Sequence, residues 1–171
     1  MPTLVESIFL QSAWASERLI EVCAPLSDEQ LDATTEGVYG SIRATLVHAL
    51  TAEQYYLSRI SQHAPTDPID DEFPGFESLK RAARSTGQAL AGAAATLPPD
   101  ATVQGGPTDG FTECDATVFL VQALNHSAEH RTQIMTMLTH LGAGPPDLDA
   151  QIDGWSWGAA SGALRDTRSG A

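Results

Sequence analysis

Cations are scarce in this sequence. Nine Lys and Arg face 22 Asp and Glu in 171 residues, for a formal net charge of −13 and an isoelectric point of about 4.5. That balance argues against nucleic acid and against an anionic membrane as partners. Cysteine is nearly absent: Cys23 and Cys114 form no CxxC pair and read as free thiols in a reducing cytoplasm. No apolar run is long enough to cross a bilayer. The start, MPTLVE, lacks the basic residues and apolar core of a signal peptide. Gly-rich phosphate loops are missing too, with neither GxGxxG nor GxxxxGK[ST]. What remains is a chain expected to be cytoplasmic, with 42% hydrophobic residues to bury as a single domain over 1–171 and a small molecule as its partner.

Helical spacing dominates what is present. Leu4, Ile8, Ala15, Leu19, Val22 and Leu26 form the stripe of a first helix ending near Pro25. Ser27, with Gln30 three residues on, predicts a capped short turn. Ser41 is a good N-cap for a second helix striped by Ile42, Leu46, Ala49, Leu50, Tyr56, Leu57 and Ile60. That stripe also contains Glu53, which is odd for a helix that only packs. Residues 62–74 carry Pro65, Pro68, Pro74 and four acids, and read as a long crossover. A third helix follows in the seam Phe76, Leu79, Ala83, Thr86, Leu90, Ala93 and Leu97, stopped by two prolines.

Residues 100–114 hold turn signals in Gly105, Gly106, Pro107, Asp109 and Gly110, with weak strand signals over 101–104 and 111–114. The run 115–141 contains neither Gly nor Pro, and Phe119, Ala123, Ile134, Met137 and Leu141 make it a fourth amphipathic helix with Asp115 as its cap. Residues 148–164, with Trp155 and Trp157, predict a short C-terminal helix packed on the bundle, and 165–171 are expected to fray. The expected fold is all-α, a four-helix bundle with a long crossover between the second and third helices.

Chemistry concentrates in the fourth helix. His126 and His130 are four apart, so they stand one turn above each other on the apolar face. Buried imidazoles need partners. A shared transition-metal ion would satisfy both rings, as would carbonyls or Gln122 and Gln133. His48 is the best third ligand: it sits early in the second helix among the small residues Ala44, Thr45 and Ala52. His63 and His140 read as surface residues. Glu129 completes an H-x-x-E-H pattern known from zinc proteases, but on an ideal helix it points away from the metal side. Glu53 lies about 140° from His48 on the wheel and is given no catalytic role. Arg131 could pair with an acid across the bundle.

The sequence resembles the DinB/YfiT-like family of bacterial metal-binding proteins over most of its length, and three stretches carry the resemblance. LVQALNHSAEHRTQI over 120–134 is similar to the family's H-x-x-x-H-R-G-Q-[IL] signature, with Thr132 where the family usually has Gly. SIRATLVHALTAEQYYL over 41–57 resembles its second-helix block, and GPPDLD over 144–149 its exit. The resemblance implies His48, His126 and His130 as three ligands of a nickel, zinc or similar divalent ion. It implies an up-down-down-up bundle and frequent homodimers. Some relatives are transferases or isomerases that use a low-molecular-weight thiol such as mycothiol or bacillithiol. The expected activity is metal-dependent transfer of a small thiol to an electrophile. A metal-dependent hydrolase, or a non-catalytic stress-response protein with a structural three-His site, remains the alternative.

Overall fold

A computed structural model describes residues 2–98, 100–104, 113–145 and 147–164. The protein is mostly helical: α1 (Leu4–Cys23), α2 (Asp28–Leu31), α3 (Ile42–Ser61), α4 (Phe76–Thr96), α5 (Ala116–His140), α6 (Leu148–Gln151) and α7 (Gly154–Ala160). The one ladder among the described residues joins β1 (Thr102–Val103) to β2 (Cys114–Asp115), antiparallel, with Thr102 opposite Asp115. The turn predicted over 105–110 and the end expected to fray over 165–171 lie outside the described residues. No described helix is long and apolar enough to cross a membrane.

The long helices close a ring in which α1 packs on α4, α4 on α3, α3 on α5 and α5 on α1. Inside it Leu19, Ile20, Ile42, Leu79, Ile134, Met137 and Leu138 are fully buried. Side chains of this size contribute about 1.5–3 kcal/mol each when removed from water, which is the main force holding the ring. At one point α1 and α4 nearly touch: a Cβ on Gly87 would overlap the Cβ of Ala13. Glycine in mid-helix costs about 1 kcal/mol of propensity, and the close approach of two helices offsets it.

Local chemistry starts the elements as expected at two points. Ser41 accepts from the Ala44 N–H, and Ser27 with Gln30 forms a reciprocal capping box. Three expectations are corrected. Asp115 occupies the N-cap position of α5 but makes no side-chain cap bond, while its backbone pairs in the ladder opposite Thr102. In α1, Ala15 and Leu19 are buried as expected, but Leu4 is 80% and Ile8 45% exposed, and the inward face takes in Phe9, Ala13 and Ile20 instead, with Phe9 and Ala13 meeting α4 at Gly87. The C-terminal segment forms two short helices, because Asp153 caps a fresh one by accepting from the Ser156 N–H at 2.8 Å. Trp155 there is 75% exposed rather than packed on the bundle.

The linker after α3 runs back along the helix it leaves. The side chain of Gln54, buried on α3, donates to the Asp67 carbonyl at 2.8 Å and accepts from the Ile69 N–H at 3.1 Å. Further on, the Arg43 guanidinium lies over the Phe73 ring, 5.0 Å from its centroid. The chain therefore passes residue 54 and then residue 43 of α3 before α4 begins.

Candidate metal centre

His48 on α3 and His126 and His130 on α5 converge across one helix–helix contact. One ring nitrogen from each lies within 4.8 Å of the others. The His126 and His130 Nε2 atoms are 3.2 Å apart. In a tetrahedral site with metal–nitrogen bonds of about 2.05 Å, ligand nitrogens are separated by about 3.3 Å. The α5 pair already has that spacing, and His48 closes in by at most about 1.5 Å to share an ion.

The proton positions can be worked out. The Tyr39 backbone N–H, which can only donate, points at Gln133 Oε1 at 3.2 Å, so the amide atom there is oxygen. The same oxygen lies 2.8 Å from His130 Nδ1, which must therefore carry the proton. His130 Nε2 is left bare, the form a metal needs. His126 Nε2 then donates to it in the metal-free state, and His126 Nδ1 is left as a buried atom with no hydrogen-bond partner.

Two of the rings are pushed toward the neutral form. Burial, then the neighbouring His130 and His48, push His126 down to about 4. Burial and His130 lower His48, with Asp71 opposing. Neutral imidazoles are ligands, whereas imidazolium is not, so the donor set fits a divalent ion.

Aromatic rings wall the cluster. Tyr39 stacks on His48 with centroids 3.9 Å apart and planes 10° from parallel, and meets His130 edge-on at 5.4 Å. Tyr56 meets His126 edge-on at 5.8 Å. Tyr39 is 54% exposed, so an approaching molecule meets it as well as the histidines. Sequence reasoning missed Tyr39; its only signal is an aromatic residue just ahead of the helix that carries His48. Gln133 was one of two suggested partners for the imidazoles, and it serves; Gln122 is exposed.

Other candidates fall away from the cluster. His63 and His140 are exposed, as expected of them. Glu129 is exposed as well and is not among the clustered groups, which removes the general base of the H-x-x-E-H pattern. Arg131 turns to α1, where it donates to Ser12 and Ser16, and it also attracts the buried Glu53 carboxyl of α3, the acid across the bundle.

The fold and the cluster define a class: a mostly helical protein in which three imidazoles from two packed helices come within reach of one metal ion. The chain belongs to the DinB family, whose model matches residues 1–159. No curated protein and no solved structure matches it.

Proposed function

We propose that this DinB-family protein holds one divalent transition-metal ion on His48, His126 and His130, and uses it to transfer a small thiol to an electrophilic small molecule. The observation that carries the proposal is the gathering of three ring nitrogens with the Nε2 of His130 bared by Gln133. Three protein ligands leave a coordination position for an exogenous group. A bound ion of this kind favours thiolate over thiol at neutral pH, and thiolate is the nucleophile. The chain's own part is to supply neutral ligands, so the site keeps a net positive charge for an anionic sulfur. For His126 to offer Nε2, its proton sits on Nδ1. Tyr39, lying flat on His48, forms the wall that orients the incoming molecule.

The same reading takes the chain as one domain, an up-down-down-up bundle supported by the linker's return along α3. It takes nickel or zinc as the ion, a homodimer as the working form, and the cytoplasm as the setting. Neither nucleic acid nor membrane is a partner, in keeping with the charge of −13.

A second reading, a structural metal site in a non-catalytic binding protein, is favoured by one observation. Clefts of about 530, 480 and 410 Å³ are lined by other residues and include none of the three histidines.

Elemental analysis of tag-free protein beside the His126→Ala, His130→Ala double variant tests the site. About one ion per chain is expected, lost in the variant. Absence of metal in both after reconstitution with zinc and nickel would falsify the three-ligand proposal. Metal-loaded protein is then assayed with dithiothreitol and a chromogenic aryl halide; thioether formation supports transfer, and its absence alongside retained metal favours the structural site.

A further inference from the structure

Beside the metal ligands lies a buried polar cluster with no role so far. Glu53 is 5% exposed on the inward stripe of α3, between Leu50 and Leu57. Ser127 of α5, 1% exposed, hydrogen-bonds Glu53 and also the Ala123 carbonyl, the latter at 2.8 Å. Its hydroxyl has a single proton. If that proton serves Ala123, a protonated Glu53 donates to Ser127; if Glu53 is ionised, Ser127 donates to it. The bridge from α3 to α5 exists in both states. One turn on, the Arg131 guanidinium reaches α1, donating to Ser12 Oγ at 3.0 Å and to Ser16 Oγ at 3.1 Å.

The spacing gives these bonds their meaning. Ser127 directly follows His126, and Arg131 directly follows His130. On a helix, adjacent residues point about 100° apart. Fixing the directions of Ser127 and Arg131 therefore fixes the directions of both imidazoles. Apolar contact alone does this poorly, because it is non-directional. A roll of about 20° moves an atom 6 Å from the helix axis by about 2 Å, whereas metal–ligand distances tolerate about 0.2 Å. Buried polar groups are best attested where they fix register.

We infer that Glu53, Ser127 and Arg131 are positioning residues that set the rotation of α5 so that His126 and His130 face His48. The inference rests on the metal-site reading for its purpose, but the orientation belongs to the metal-free protein and is measurable there.

The test compares wild type, Ser127→Ala, Glu53→Ala, Glu53→Gln and a core control, Leu79→Ala on α4. Zinc affinity is measured by chelator competition. The imidazole resonances of His126 and His130 are recorded by NMR on metal-free protein. Ser127→Ala and Glu53→Ala are expected to weaken zinc binding roughly tenfold or more and to shift both rings' resonances. Glu53→Gln, whose amide still reaches Ser127, recovers most of the affinity. Leu79→Ala lowers the melting temperature and leaves affinity and resonances as they are. Should Glu53→Ala fail to fold, Ser127→Ala, which removes one hydroxyl, carries the test. Wild-type affinity and unshifted rings in Ser127→Ala overturn the inference, whatever its melting temperature. If wild type binds no zinc, the metal site fails on its own account, and the ring resonances alone decide positioning.

Discussion

Acidifying the metal-free protein probes the packing of the three imidazoles directly. In the unfolded chain His126 titrates near 6.5, and in the folded protein burial and its two histidine neighbours hold it at about 4. Between those values the unfolded state binds more protons than the folded one. Stability contributed by the neutral ring is therefore complete above about pH 6.5 and is lost as pH falls through about 4. The full shift corresponds to a ceiling of roughly 3 kcal/mol at about 1.4 kcal/mol per unit. The ring is only partly buried, so solvent screening brings the expected loss to about 1–2 kcal/mol. His48, lowered by burial and by His130, adds in the same direction. For a chain of this size the loss is about 2–8 °C in melting temperature. Urea or thermal melts of EDTA-treated protein at pH 7, 6, 5 and 4 read it, with His126→Gln as the reference because both proteins share every carboxylate. The two stability curves should converge as the pH drops. Parallel curves from pH 7 to 4 would show that His126 is no more crowded when folded than when unfolded, and the cluster would not exist as described.

Gln133→Leu removes the acceptor shared by His130 Nδ1 and the Tyr39 N–H. A tenfold or greater loss of zinc affinity by chelator competition is expected, and an unchanged affinity means that the tautomer is not set there. Gln54→Ala deletes both hydrogen bonds to the linker and should cost about 1–3 kcal/mol, with faster protease cleavage within 62–75; cleavage at the wild-type rate contradicts the pinning. Cys23 is completely buried, and its thiol is pushed up to about 12, so titration with a thiol reagent under native conditions at pH 8 should find it inert until urea is added. Rapid modification of Cys23 would show that the contact of α1 with the core is open.

Several locally encoded features were legible in the sequence, although the Asp153 cap of α7, equally local, was not read, and most features made by distant residues were not. The Ser27 box and the Ser41 cap each rest on residues three apart and came out as read. The facing of His126 and His130 followed from helical period alone. Bringing His48 to them needed small neighbours on α3 and a family resemblance, because nothing local says that α3 packs on α5. Tyr39 was missed for a physical reason: its backbone N–H is tied to a side chain 94 residues away. Asp115 had the right identity for a cap and stands at the N-cap position, but its side chain makes no cap bond. Glu53 looked wrong for a packing helix, and the structure supplies the missing partner in Ser127, 74 residues further on.

The contact between Gly87 and Ala13 binds two distant positions into one mutational unit. The space there admits a single methyl group, and Ala13 already fills it. A lineage that gains a side chain at position 87 must lose the one at position 13, or spread α1 from α4 and loosen the core beneath. Glycine and alanine can trade places across this contact, but position 87 cannot gain a side chain while Ala13 keeps its methyl. Among descendants of this chain, the pair should be inherited as a pair.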